Sequence, residues 1–270
     1  MSVLVHLSDL HFGRVDERLL APLVLAVEAA RPDVVIVSGD LTQRARESEF
    51  RAASDFLARL PDPKVVVPGN HDVPLYNLFD RFARPLSLFR EYIETHPMPR
   101  FVDADVAVIG VNTARSMVVK NGRINREQIG AIRTAFSELP EEIFRVVVTH
   151  HPFDAGQAMD PDDRVGRAVP AMQAFSDCGV DLLLSGHLHV AYSGESDLSA
   201  RVLEGPGALA VSAGTATSTR VRGEPNEFNV LRVSRGRVEV ERHAWVADRL
   251  VFERTDVSTF EQDAGGWRRV

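Results

Sequence analysis

The sequence predicts an α/β fold in which two packed β-sheets are flanked by helices, and three observations carry that prediction. Six continuous apolar runs, at residues 3–7, 34–38, 64–67, 106–111, 145–149 and 182–185, lack the alternation of a half-exposed strand. They read as strands covered on both faces. Helical periodicity occupies 17–30, 47–60, 126–136 and 169–177 among them, and strand alternating with helix is the α/β signature. After His189 the pattern changes to short β-type segments at 201–204, 208–213, 228–233, 237–245 and 249–253. Turns such as Ser234-Arg235-Gly236 and Ala247-Asp248 separate them, which predicts a meander forming the second sheet.

The element boundaries have local causes. Arg31-Pro32-Asp33 and Pro61-Asp62-Pro63 end the first two helices, because proline disfavours the α conformation of its predecessor. Two stretches fit neither pattern. Residues 73–100 form a proline-punctuated helical segment rich in aromatic and arginine residues, among them Phe79, Arg81, Phe82, Arg84, Phe89 and Arg90. Residues 154–167 are polar and irregular. Each follows candidate site residues directly, the place for a lid, although a surface loop and a packed helix pair account for them equally well. With no internal repeat and no low-complexity linker, the expectation is one domain over 1–270, a lid or cap at 73–100 and a β meander at about 200–255.

Bulk properties exclude several classes. The 270 residues are 44% hydrophobic and 26% charged, an ordinary globular composition. No run approaches the roughly 18 apolar residues of a bilayer span. The start MSVLVHLSDLHFG lacks a basic leader and contains residues that look functional, so no signal peptide is expected. Cys178 is the only cysteine, which suits a reducing, cytoplasmic setting. A net charge of −7 argues against binding a nucleic-acid duplex. Lys64 and Lys120 are the only lysines, so the abundance of arginine lowers the weight of any single arginine as an anion ligand.

The chemistry sits at the strand ends. The first strand ends in Ser8-Asp9-Leu10-His11, the second in Gly39-Asp40 and the third in Gly69-Asn70-His71-Asp72. The fifth ends in His150-His151 and the sixth in Gly186-His187-Leu188-His189. These segments hold six of the nine histidines, and open α/β sheets bind ligands beyond the carboxyl ends of their strands. Taken singly, each motif has an ordinary explanation as a turn, a cap or a packed histidine. Taken together, five strand ends carrying oxygen and imidazole donors point to metal. Imidazole and carboxylate without thiolate suit Mn, Fe, Zn or Co. Two carboxylates, an amide and four or five imidazoles exceed the needs of one ion and suit two ions sharing a carboxylate.

In this order DLH, GD, GNHD, the strand-end histidine and GHLH resemble the signature of the calcineurin-like metallophosphoesterases, over roughly residues 3–189. The look is nearest to the bacterial branch of class III cyclic-nucleotide phosphodiesterases and glycerophosphodiesterases. The resemblance implies a four-layer α/β/β/α sandwich and two metal ions, manganese or an iron–manganese pair first among the choices. It implies that Asp9, His11 and His189 hold one ion, that Asp40 bridges, and that Asn70, His150 and His187 hold the other. His71 and Asp72 would be the catalytic pair, His71 near the leaving group and Asp72 orienting it, with a carbonyl as the other possible hydrogen-bond partner of the ring. His150 is preferred to His151 as ligand. Pro152 biases His151 toward extended backbone, which would face it away and leave it packed or substrate-facing.

The implied activity is hydrolysis of a small-molecule phosphate ester by a metal-activated water, a diester first. A pyrophosphohydrolase or phosphomonoesterase on the same core, or a non-catalytic metal-binding scaffold, is the alternative. The phrase GTATSTRVRGEPNEFN (214–229) offers Arg220 and Arg222 to an anionic substrate if its loop turns back to the site, and is otherwise a polar connection. Arg115, at another strand end, invites the same comment.

Overall fold

Strand β1 (Ser2–Leu7) explains why the apolar runs do not alternate. Leu4 enters one buried cluster while Val5 and Leu7 enter another on the opposite face, so both faces must be apolar. The computed structural model describes residues 1–75, 77–116, 121–154, 164–189, 191–195, 207–220 and 223–270.

Helix α1 (Glu17–Ala30) follows β1, capped by the Asp16 carboxylate and ended by Arg31 in left-handed backbone. Next come β2 (Val34–Val37), α2 (Glu47–Leu57) and β3 (Lys64–Val66). Short helices α3 (Leu78–Ala83) and α4 (Ser87–Tyr92) lead to β4 (Arg100–Val102) and β5 (Val106–Gly110). Helix α5 (Arg126–Ser137), β6 (Phe144–Val148), α6 (Ala168–Asp177) and β7 (Leu182–Ser185) complete the α/β portion. The remaining strands are β8 (Tyr192–Glu195), β9 (Leu209–Ser212), β10 (Glu227–Ser234), β11 (Arg237–Val246), β12 (Val251–Asp263) and β13 (Gly266–Arg269).

Two sheets form, one of seven strands in the order β13-β12-β11-β10-β1-β2-β3 and one of six in the order β4-β5-β6-β7-β9-β8. Three buried clusters fill the spaces between four layers. One joins the outer face of the first sheet to α1, α2 and α4, through Leu23, Phe50, Phe56 and Phe89. The second lies between the sheets, where Ile36 and Leu231 meet Val146 and Leu184. The third packs α5 and α6, through Ile132, Phe136 and Phe175, onto the second sheet. The α/β/β/α sandwich is the observed architecture.

The partition of strands differs from the expectation. The C-terminal meander does not make a sheet of its own: β10 pairs antiparallel with β1, Leu4 opposite Leu231, and carries β11–β13 into the first sheet. The segment at 208–213 leaves the meander instead and pairs parallel to β7 as β9. Burial patterning reports that a strand is covered, not which edge it joins. Strands β4, β8 and β13 carried no strong apolar run, and the expected strand at 201–204 lies outside the described residues. Among the described residues no helix is long and apolar enough to cross a membrane.

Asp181, just before β7, accepts the Arg145 N–H at 2.8 Å, and burial pushes its carboxyl up to about 6. A raised carboxyl binds its proton more tightly when folded, so this group's contribution falls as pH climbs from 3.8 to about 6. Asp181→Asn, which keeps an accepting oxygen, is therefore expected to raise Tm relative to wild type more at pH near 8 than at pH near 4. Thermal melts at both pH values check this, and an equal effect at both would contradict it.

Candidate metal centre

The carboxyl ends of β1, β2, β3, β6 and β7 share one rim, and the polar strand ends turn into it through unusual backbone. Asp9 (φ 55°), His11 (φ 52°), Asp40 (φ 52°), His187 (φ 71°) and His189 (φ 59°) are all left-handed. Non-glycine residues at such φ cost of order 1–3 kcal/mol each and cluster at functional sites. Bonds between strand ends hold them there. The Asp9 N–H donates to Gly39 O (3.1 Å), the His11 N–H to Asp40 O (2.9 Å) and the Gly186 N–H to His150 O (3.0 Å). Glycine is required at 69 and 186, where a Cβ would overlap the Asp40 carboxylate and Ser8 Oγ.

Two groups of donors result. In the first, Asp9 Oδ1 lies 3.5 Å from His11 Nε2 and 3.6 Å from His189 Nε2. Asp9 Oδ2 is already occupied, accepting from Ser8 Oγ (2.6 Å) and the His187 N–H (3.1 Å). Thr215 Oγ1 sits 2.7 Å from His189 Nδ1, so Nε2 is the nitrogen that faces Asp9. In the second group, His150 Nε2 and His187 Nδ1 each lie 3.1 Å from Asn70 Oδ1 and 3.3 Å from one another. His150 Nδ1–H donates to Ser38 O (2.7 Å), which leaves a lone pair on Nε2 of the neutral ring. Asp40 stands between the groups, Oδ1 3.4 Å from His150 Nε2 and Oδ2 3.8 Å from His11 Nε2.

These donors fit cations. Burial alone would raise the Asp9 and Asp40 carboxyls, but the surrounding imidazoles hold both well below the usual carboxylate range. Burial also opposes a charged His150, yet Asp40 and Asp9 lift it to about 9. Burial and that neighbouring positive charge push His187 down to about 4. Lone pairs and carboxylates thus converge on a space that needs positive charge, supplied by protons unless a metal takes their place. Asp9 Oδ1 and both His11 nitrogens have no hydrogen bond among the described residues, although all three atoms are buried. Such orphaned atoms call for an explanation of this kind. Ligands about 2.1 Å from one ion stand about 3.0–3.4 Å apart at octahedral to tetrahedral angles. The 3.1–3.8 Å separations here need little adjustment.

The other expected residues divide. The His71 ring is held by Gln43, whose carbonyl accepts from Nδ1 at 2.9 Å, and its Nε2 faces the Arg220 guanidinium at 3.1 Å. The carbonyl makes the contact, so the expectation that Asp72 orients His71 is corrected. The Asp72 carboxylate accepts instead from the N–H groups of Leu41, Thr42 and Gly69 and from the Thr42 hydroxyl, tying the Asp40 loop to the 3₁₀ turn Asn70–Asp72. The 214–220 loop does turn back, bringing Arg220 to the site. Arg222 lies outside the described residues. Arg115 bonds Gln128 and Ala114 O and lines a separate cavity beside α5, away from the donors.

His151 departs from the expectation that it faces away. Its ring is buried, 4.8 Å from that of His150 and 4.7 Å from that of His187, and Thr113 Oγ1 anchors Nδ1 at 2.8 Å. Strand β6 ends at Val148, and residues 150–151 form a bend, so the two-residue alternation no longer governs them. One nitrogen each from His150, His151 and His187 lies within 4.8 Å of the others.

A profile described as calcineurin-like phosphoesterase matches residues 2–191. The chain belongs to the calcineurin-like phosphoesterase family. A glycerophosphodiester phosphodiesterase of Enterobacter lignolyticus is 34% identical over 95 residues, 31% of this chain and 34% of that protein. A probable cyclic nucleotide phosphodiesterase of Rhodopseudomonas palustris is 26% identical over 204 residues, 70% of this chain and 72% of its own length. Among solved structures, the purple acid phosphatase PPD1 of yellow lupin superposes with a TM-score of 0.68 at 13% identity. That match covers 97% of this chain and 54% of the lupin chain, a likeness of fold.

Sequence reasoning missed the supporting shell of this phosphoesterase: Ser8, Gln43, Thr113 and Thr215. Thr215 lies in the hydroxyl-rich phrase already singled out, and Gln43 stands three residues beyond Asp40, so spacing offered a signal for both. After manganese loading, His150→Ala is expected to lose one bound ion and His151→Ala to keep its full complement. Elemental analysis of the purified variants checks this, and equal loss in both would make His151 a ligand.

Proposed function

We propose that this phosphoesterase hydrolyses a small-molecule phosphate diester, of cyclic-nucleotide or glycerophosphodiester type, with two metal ions. Asp9, His11 and His189 would hold the first, Asn70, His150 and His187 the second, and Asp40 would serve both. The observation that carries this reading is the position of Asp40, whose two oxygens face different donor groups at 3.4 and 3.8 Å. The preference for a diester follows the names of the Enterobacter and Rhodopseudomonas relatives.

Bound there, two ions would supply the Lewis acidity that polarises a phosphoryl group and acidifies the attacking water. The chain's own residues do the rest. The neutral Asn70 amide limits the negative charge that an anionic ester must approach. Arg220 presents a guanidinium beside His71, placed to take a non-bridging phosphoryl oxygen. Gln43 O fixes the proton on His71 Nδ1, so the lone pair of Nε2 faces Arg220, and Nε2 is the atom that can take up a proton and pass it to the departing oxygen. Burial keeps the free imidazole neutral, and an anionic substrate favours the protonated form.

His71→Ala is expected to lower turnover by about 100-fold or more while leaving metal content unchanged. Parallel loss of activity and metal would remove the leaving-group role. The reaction type is tested on manganese- or iron-loaded protein by comparing a bis-aryl diester, an aryl monoester, cyclic nucleotides and glycerophosphodiesters. A diester is expected to be turned over most efficiently, and a wide advantage for the monoester would overturn the assignment.

A further inference from the structure

Beside His71 opens a cavity of about 180 Å³, with His71 and Asn70 on one side and Gln43, Arg44, Leu75 and Arg81 on the other. Arg44 and Leu75 also line a neighbouring hollow of about 750 Å³ that reaches toward α4. The cavity therefore lies next to the imidazole proposed to serve the leaving oxygen.

Arg81 is the unusual member of this lining. It is 6% exposed, and its Nη1 donates to Pro74 O at 3.1 Å. It forms no ion pair among the described residues. A guanidinium carries five N–H donors, and burying its charge is unfavourable unless an anion or several acceptors answer it. Other partly buried arginines here are answered. Arg232 bonds Glu241, Arg242 bonds Glu227, and Arg145 bonds the carbonyls of Leu139, Pro140 and Cys178. In a chain of net charge −7, Arg44 and Arg81 share this cavity and Arg220 stands against His71. Positive charge in a cleft concentrates anions there.

We propose that Arg81 is a specificity residue for the leaving group: it binds an anionic oxyacid group carried by the departing alcohol. The natural substrate then releases an alcohol that is itself a phosphate or a carboxylate. The inference rests on the phosphoesterase reading above and narrows it to open diesters whose leaving alcohol carries a second acid group; a cyclic nucleotide, whose leaving oxygen stays on the same molecule, falls outside it. The cavity is smaller than the roughly 300–1,000 Å³ of sites for drug-sized ligands, so the group beside His71 is compact and any larger part extends past Leu75. The order along the site is phosphoryl group, leaving oxygen at His71 Nε2, short linker, then anion at Arg81.

Three methyl aryl phosphate diesters test this on the metal-loaded protein: a nitrophenyl ester and its counterparts with a ring carboxylate or a ring phosphonate on the leaving phenol. One charged ester is expected to show a KM about 10-fold below the uncharged one, and which of the two identifies the oxyacid. That ratio should fall to about 1 in Arg81→Met and be partly restored in Arg81→Lys, with kcat on the uncharged ester little changed. Leu75 is exposed, so Leu75→Phe narrows the mouth without disturbing the core and should raise KM for the charged esters alone. Equal KM values for all three esters, or a ratio indifferent to Arg81 and Leu75, would overturn the proposal. Calorimetric binding of the free charged phenols separates the two readings. If no ester turns over, the phosphoesterase assignment fails, while Arg81-dependent phenol binding still sustains the anion site and its absence removes it.

Discussion

Two carboxylates, Asp9 and Asp40, are buried at the ends of neighbouring parallel strands, and the rest of the site answers their charge. Water does not solvate them, so compensation must come from groups that the fold delivers. Histidines arrive from β6 and β7 in the other sheet, and the shared rim exists because the two sheets pack with these ends together. The gap between the sheets is filled by Ile36, Val146, Leu184 and Leu231. The inter-sheet core thus sets the spacing of the donors. A change of packing there would be felt as a change of distance between Asp40 and His150.

Left-handed backbone at five of the donor residues is the local counterpart of that constraint. An extended strand end would leave Asp9 and His11 on one face but about 6.6 Å apart along the strand, too far to meet at one point. A tight left-handed corner folds both back over the rim, where Gly39 O and Asp40 O accept their N–H groups. Asp72 contributes from below by fastening the Asp40 loop to the turn that carries Asn70 and His71. Its part is in holding the corner together, and Gln43 is the residue that aims the imidazole.

The sandwich, and the gathering of polar strand ends at one rim, were legible in sequence because both have strong one-dimensional signals. Doubly covered strands read as unbroken apolar runs, and polar residues follow them directly. Partnership was not legible. Ala210 and Leu231 sit in similar apolar segments, yet one joins the second sheet and the other the first, a choice made by the free edges of β7 and β1. The orientation of the His150–His151 pair escapes the alternation rule of strands because β6 ends at Val148, before the pair. Arg81 was visible only as one arginine among many. Its burial without an ion pair among the described residues depends on how α3 lies against the site, which no spacing encodes.

The pairing of β10 with β1 also bears on the order in which the molecule becomes complete. Strand β1 lies in the middle of its sheet, between β2, which follows it closely in sequence, and β10, which is made much later. Until β10 emerges, β1 presents an open edge, and contacts this distant in sequence form slowly. The loop just before β10 brings Thr215 to His189 and Arg220 to His71. The strand that closes the sheet and the residues that finish the reactive rim are therefore delivered together. A nascent chain can hold most of its donors long before it can orient them, and late strand closure couples the maturing of the pocket to the finishing of the fold.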